Sequence, residues 1–392
     1  MKRLMLLVFI LAVLLFVAPV FAFSLKPTGL SNYQPQISPP LGKILKNSST
    51  DERVTVIVQL REQADLELLP GGPRSDRLQN TIIRLQSVAE RSQTPVIEFL
   101  NRSQEPGEIS KIIPFWIFNG FSITTSPRMI SLIAALPEVQ AVYLDEIDIK
   151  TSGLLTNTTV EPNIDLVNAP EVWLEGWRGE GVVVASMDTG VDILHPALSA
   201  RWRGGENSWF DPYGQHSSPT DFSAGKSGHG TQTMGVLLGG DESGSSIGVA
   251  PGAKWIAVKI FNDAGNATAT EIHLGFQWLM DPDGDPLTDD APHIVNNSWS
   301  FTTTDCNLIF QPDLLALRSA GILPVFSAGN YGPESNTSVS PANYPEAFAV
   351  GAVNNDDLIL ALSSRGPSAC GQENDIYPDV TAPGLDVLTT DL

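Results

Sequence analysis

Cysteine is nearly absent from this chain, and so, beyond its first residues, is any long apolar run. Of 392 residues only Cys306 and Cys370 are cysteines. That excludes a disulfide-dense scaffold and allows one bridge at most. Nothing in the sequence says whether the two meet, and neither sits in a motif for a nucleophile or a metal. After residue 23 no stretch is long and apolar enough to span a bilayer. Histidine is scarce too: His195, His216, His273 and His293 show no zinc spacing and read as structural or exposed. No internal repeat recurs.

Positive charge is the sharpest deficit. Lys and Arg number 23 against 44 Asp and Glu, a net charge of −21. The imbalance is local: residues 53–150 hold ten basic and twelve acidic side chains, residues 151–392 eight and thirty. An acidic second half argues against nucleic acid or an anionic membrane surface as partner. It is compatible with an exported domain that tolerates salt or uses calcium.

What is present begins with a leader. Lys2 and Arg3 precede an apolar run from Leu4 to Val17, and Val20-Phe21-Ala22 offers small or apolar residues before a cut. This pattern predicts a secretory signal peptide over residues 1–22, with an uncleaved membrane anchor as the competing reading. Residues 23–52, rich in Pro, Ser and Asn, read as an aperiodic linker.

Residues 53–149 read as a small α+β domain. Val54–Leu60 alternates as a strand does, Arg77–Leu100 keeps a helical stripe broken near Pro95, and two strands flank Asn119-Gly120, a hairpin dipeptide. A short helix over 127–136 and a strand over 139–144 complete a ferredoxin-like split βαβ order. Residues 150–176 form a polar connector, exposed at Leu154–Thr159, where a protease would nick the chain. From 177 to 392 apolar strand runs alternate with helical ones, which predicts an α/β domain with a doubly wound parallel sheet.

Within that second domain, Val182–Met187 is a buried-strand pattern running into Asp188-Thr189-Gly190. A carboxylate at such a strand end is a candidate functional group, because ligands of open parallel sheets sit there. Alone, it is more simply a helix cap. About forty residues on, Gly228-His229-Gly230-Thr231 opens a helical run, and a helix N-terminus disfavours imidazolium and so keeps the ring a neutral base.

Further stretches complete a resemblance. Ile247–Lys259, Asn296-Asn297-Ser298-Trp299, Ser327-Ala328-Gly329-Asn330, Ser363–Pro367 and Pro378–Gly384 follow the two motifs in order. Residues 177–392 thereby resemble the subtilase family of serine proteases, in its bacillopeptidase F-like branch. Residues 53–149 more weakly resemble the propeptide that chaperones folding and inhibits the mature enzyme. The resemblance implies a subtilisin-like sheet, C-terminally incomplete here, with Asp188 and His229 as triad members and Asn330 as oxyanion donor. It assigns Ser298, Trp299 and Ser300 to a substrate-pairing edge, and Ala328, Gly329 and Pro341 to the substrate site, with a cis bond before Pro341.

One departure matters. The family's nucleophile follows in a Gly-Thr-Ser-Met-Ala segment that these residues do not contain; Ser363 and Ser364 belong to another motif. Loss of the serine removes about six orders of magnitude in turnover, a value known from subtilisin itself, so the chain as written is expected to be inactive. The expectation is a fragment of a secreted endopeptidase precursor, hydrolysing peptide bonds as a monomer without a cofactor for the chemistry. The alternative is a non-catalytic peptide-binding protein. Asp281, Asp283 and Asp285, on a Gly/Pro loop, are candidate calcium ligands, with a solvated acidic loop as the simpler reading.

Overall fold

The structure is a computed structural model describing residues 36–47, 52–67, 69, 71–103, 107–151, 161–242, 244–371 and 376–392. The expected signal segment and the Leu154–Thr159 connector lie outside the described residues. The N-terminal part consists of β1 (Gln36–Ile37), α1 (Pro39–Asn47), β2 (Val54–Leu60), α2 (Arg74–Ser103), β3 (Ile109–Phe115), β4 (Gly120–Thr125), α3 (Pro127–Ala134), β5 (Val139–Leu144) and β6 (Ile149–Thr151). There follow α4 (Pro162–Leu166), α5 (Ala169–Leu174), β7 (Val183–Asp188), α6 (Pro196–Ser199), β8 (Trp209–Phe210), α7 (His229–Leu238), β9 (Lys254–Lys259) and α8 (Ala269–Met280). The rest is β10 (Ile294–Asn297), β11 (Trp299–Phe301), α9 (Gln311–Ala320), β12 (Leu323–Ser327), β13 (Phe348–Val353) and β14 (Val380–Pro383).

The N-terminal module is a sheet ordered β1-β5-β2-β4-β3, antiparallel apart from the β1–β5 pair. Period-two alternation decides what each face does. Val54, Val56, Val58 and Leu60 of β2 pack with Val96, Leu100, Phe121 and Met129 in the module's own core. Ile57, on the opposite face, joins the core of the larger domain. Helix α2 divides its labour similarly. Leu78, Ile82 and Leu85 pack into the larger domain's core beside Leu314 and Leu317 of α9, whereas Val96 and Leu100 serve the module.

Three expectations need correction here. The stretch read as an aperiodic linker contains β1 and α1, and α1 buries Leu41 completely in the module core. Helix α2 runs unbroken through Pro95. The buried Gln93 beside it donates from Nε2 to the Phe115 carbonyl (2.8 Å) and Asn119 Oδ1 (3.0 Å), and Val96 and Leu100 anchor the following turns. Third, β3 stops at Phe115, before the Asn119-Gly120 pair. The backbone N–H groups of Trp116 and Ile117 leave the ladder for Gln277 Oε1 of α8, at 2.7 and 3.2 Å.

The larger domain is built on a sheet ordered β14-β13-β12-β10-β7-β9-β8, parallel throughout. Both faces are covered, which is why β7 and β9 read as continuous apolar runs. Ala185, Met187, Ile256 and Val258 point toward α8 and α9; Val184, Trp255 and Ala257 point toward Met234 and Leu238 of α7. The doubly wound sheet is as expected. The last strand, β14, ends at Pro383.

Phe118 ties the two parts together. Its ring is 4.7 Å from that of His273 on α8 and it is almost fully buried. Phe118→Ala is expected to destabilise the chain by about 3–5 kcal/mol, read as a lower urea midpoint; an unchanged midpoint would show that the interface contributes nothing to stability.

Candidate active site

Strand β7 delivers Asp188 to the C-terminal edge of the sheet, and α7 begins at His229. Both side chains are buried, and His229 Nδ1 lies 2.7 Å from Asp188 Oδ1. The same oxygen accepts the Thr189 N–H at 2.7 Å. The two elements meet backbone to backbone. A Cβ on Gly230 would fall 2.0 Å from the Gly190 carbonyl oxygen, so only glycine permits the approach.

Behind this pair lies a second carboxylate that sequence reading missed. Asp221, 5% exposed, accepts from Thr189 Oγ1 (2.8 Å) and from the Thr231 N–H (2.8 Å) and Oγ1 (2.7 Å). Thr189 Oγ1 in turn accepts the Gly230 N–H at 2.9 Å. One carboxylate thus fixes the residue after Asp188 and the second residue after His229. Burial, the largest influence, pushes Asp221 above the usual carboxylate range, the hydrogen bonds from Thr231 and Thr189 oppose it, and the Asp188 charge adds to the rise. Lys259, fully buried at the end of β9, supplies the countercharge. Its ammonium donates to the carbonyls of Thr189 (3.2 Å), Phe261 (2.6 Å) and Phe222 and lies 3.6 Å from Asp263. Burial pulls Lys259 below its usual range, with Asp263 opposing.

The remaining expected residues stand along the same edge. Ala328, Gly329 and Asn330 follow β12, which neighbours β10, itself beside β7. Their backbone is braced: Ala328 N–H donates to Val350 (2.9 Å), Tyr377 OH donates to the Ala328 carbonyl (2.6 Å), and Ser364 N–H donates to the Gly329 carbonyl (3.0 Å). Ser363 and Ser364 are buried, their hydroxyl oxygens accepting from Ala352 N–H (3.0 Å) and Tyr331 N–H (3.1 Å), so both are braces. The Ser340–Pro341 bond is cis. Cys306 and Cys370 form a disulfide, which the sequence left open.

Ser298-Trp299-Ser300 offers its backbone as an edge, while the Trp299 ring turns inward. The Trp299 side chain is fully buried, edge-on to Phe310 and Phe326, and so belongs to the core. The edge itself is taken. β11 pairs antiparallel with β6, placing Trp299 opposite Thr151, Ser300 opposite Lys150 and Phe301 opposite Ile149. The N-terminal module therefore ends in a strand on the edge expected to take substrate.

The module also completes α8. That helix has no cap from its own Thr268, and Asp145 supplies one, accepting from Thr270 N–H (2.8 Å) and Oγ1 (2.7 Å). Glu271, one residue on, is pushed up to about 7 by burial first and then by the Asp145 charge; a backbone hydrogen bond and Lys111 oppose the rise.

Of the candidate metal ligands, Asp281 and Asp283 come together and Asp285 does not. The third carboxylate is Asp290, its ligand oxygen within 4.8 Å of those of Asp281 and Asp283. Asp285 instead accepts the Leu287 N–H at 3.0 Å. The four other histidines are structural. His195 caps α6, His216 pairs with Asp263, His273 with Asp313, and His293 accepts the Val183 N–H.

Comparison with known proteins fits this geometry. The model of the subtilase family matches residues 179–391. Bacillopeptidase F of Bacillus subtilis (strain 168) is 34% identical over 333 residues, covering 77% of this chain and 23% of that protein. Serine protease AprX of the same organism is 31% identical over 284 residues, 68% of this chain and 59% of its own length. Minor extracellular protease Vpr, also from that strain, is 26% identical over 320 residues, 78% and 37%. The chain thus spans between about a quarter and three-fifths of these relatives. With an aspartate and a histidine of the matched motifs in hydrogen-bond contact at the end of a parallel sheet, the chain belongs to the subtilase family of serine proteases.

Proposed function

We propose that this chain belongs to the precursor of a secreted serine endopeptidase, in which Asp188 and His229 activate the nucleophilic serine of the family, which is not among these residues. The observation that carries this reading is the buried 2.7 Å contact between His229 Nδ1 and Asp188 Oδ1. That bond puts the proton of the neutral ring on Nδ1, and Nε2 carries the lone pair that accepts a hydroxyl proton. The serine oxygen then attacks the scissile carbonyl, and Asp188 stabilises the imidazolium. Asn330 donates to the oxyanion, and the imidazolium protonates the leaving amine. Water repeats the cycle on the acyl-enzyme. Secretion rests on residues 1–22 and on the extracellular relative. No cofactor enters the chemistry.

We infer that the N-terminal module is the enzyme's inhibitor. Its β6 holds β11 as a substrate strand would, and the connector after it is the expected cleavage site. Protein substrates in extended form replace β6 once the module leaves.

The reading frame carried through the serine should label with a fluorophosphonate and hydrolyse a denatured protein. Asp188→Asn is expected to lose about four orders of magnitude in kcat, and failure of the parent protein to label would end the protease reading. Asp221→Ala is expected to lower kcat by up to about a hundredfold with little change in KM, since it loosens the pair without touching substrate. An equal loss through KM alone would assign Asp221 to binding. Module docking should also respond to pH. Glu271 holds its proton up to about 7 in the docked state, so the folded chain binds more protons than the unfolded one across the interval from the ordinary carboxylate range to about 7. Stability then falls as pH rises through that interval. The urea midpoint should decline from pH 5 to pH 8, and Glu271→Gln should flatten the decline; a parallel decline in both proteins would exclude Glu271 as its source.

A further inference from the structure

Strand β6 lays one further side chain on the larger domain. Ile149, Lys150 and Thr151 lie opposite Phe301, Ser300 and Trp299. Alternation along an extended strand sends neighbouring side chains to opposite faces. Ile149 is buried in the larger domain's core with Trp299 and Phe301. Lys150 therefore points the other way, and its Nζ lies 3.7 Å from the centroid of the Tyr331 ring.

Tyr331 directly follows Asn330, beyond the end of β12. Its anchors belong to the larger domain. The backbone N–H donates to Ser364 Oγ (3.1 Å), and the hydroxyl, at the far end of the ring, donates to the Phe301 carbonyl of β11 (3.3 Å). Nothing in β6 is needed to hold the ring. An aromatic face carries the negative part of the ring quadrupole and attracts a cation laid on it. Here the face is the cation's contact. Among the described residues no carboxylate lies within ion-pair distance of Lys150, and Asp148, two residues earlier, accepts from Thr302 Oγ1 (2.7 Å). Lys150 and Tyr331 are both half-buried, so their attraction is screened less than that of an exposed pair. A ring face demands no forked geometry, and it takes an ammonium or a guanidinium alike.

We propose that Tyr331 selects lysine or arginine in the substrate at the position that pairs opposite Ser300. This selection rests on β11 being the substrate edge, as proposed above. An extended peptide that replaces β6 in the same register puts its own side chain where Lys150 was, over a ring that the larger domain holds in place. Lys150 is then the module's copy of a preferred substrate side chain. The acidic balance of residues 151–392, eight basic against thirty acidic side chains, favours cationic peptides at longer range, but the ring acts at one position. A carboxylate there meets the negative face and is disfavoured. An uncharged side chain of similar length keeps the packing and loses the electrostatic part.

Peptides spanning residues 145–160 fix the register through their own β6 sequence and include the connector expected to be cut. They are offered with Lys150 retained, and as Lys150→Arg, Lys150→Met and Lys150→Glu, to the protein carrying its serine, its active sites counted by fluorophosphonate labelling. The lysine and arginine peptides should exceed the methionine peptide by about three- to tenfold in kcat/KM, and the glutamate peptide should be the poorest. Tyr331→Leu should bring the ratio of lysine to methionine peptide to about one, and Tyr331→Phe, which keeps the face, should preserve most of it. Both peptides meet the same enzyme, so the ratio is indifferent to partial misfolding. A labelled protein that cuts the two peptides equally, or whose preference survives Tyr331→Leu, would overturn the selection and leave the protease reading intact. A parent that does not label ends that reading and, with it, the selection. The contact is also read without catalysis in the chain of 392 residues. Lys150→Met and Tyr331→Leu, alone and together, should show a coupling of about threefold or more in the unfolding constant; additive effects would overturn the proposal whatever the labelling shows.

Discussion

The approach of the Gly190 carbonyl to Gly230 is the constraint on which the candidate active site depends. With a Cβ position 2.0 Å from that oxygen, the turn after β7 and the first turn of α7 touch through backbone alone. A bond of 2.7 Å between Asp188 and His229 requires this, since aspartate and histidine side chains are too short to bridge elements separated by ordinary side-chain packing. Gly190 and Gly230 are both places where an added Cβ would meet backbone oxygen.

Close backbone approach brings two buried carboxylates together, and the donors of Thr189 and Thr231 offset the cost. Two buried carboxylates, Asp188 and Asp221, lie near enough for one charge to raise the other. Asp221 is kept by three donors from Thr189 and Thr231. Lys259 meets the same turn from below through the Thr189 carbonyl. Removing one member of such a network leaves its partners buried and unpaired, a larger cost than the bond itself. The Asp188–His229 pair is therefore held by a network that reaches it through the Thr189 N–H and otherwise fixes the backbone around it.

Much of this was legible in sequence because it is periodic or local. β7 and β9 are buried on both faces and so read as apolar runs, and the Asp188 and His229 motifs are contiguous. What was missed is non-local. Asp221 is one acid among thirty in its half of the chain, and its role appears only when α7 folds back on β7. Asp290 displaces Asp285 from the acidic cluster because Asp283 Oδ1 turns Asp285 away into a tight loop. Trp299 lies on the right strand, but alternation sends its ring inward. β6 is three residues long, too short for a pattern, and only its partner β11 gives it meaning. The break expected at Pro95 fails because α2 is held on both sides of it by tertiary packing, which outweighs one missing backbone bond.

The contacts of the N-terminal module share a physical character. It caps α8 with Asp145, accepts from nothing less than a helix terminus there, pairs β11 with β6, and satisfies the Ala291 and Pro292 carbonyls with Arg74. Each of these is a backbone group at the end or edge of an element, the kind that a fold leaves unpaired. Such groups can be served by water, so the module can leave without stranding buried polar atoms. Its apolar contacts differ: Ile57, Leu78, Phe115 and Phe118 share a continuous core with α8 and α9, and exposing that surface has no substitute in water. Polar contacts therefore set where the module docks, while apolar ones set how firmly it stays. Of the polar ones, the β11 edge is the strand-to-strand contact, so under the function proposed above β6 is the element an extended peptide would replace.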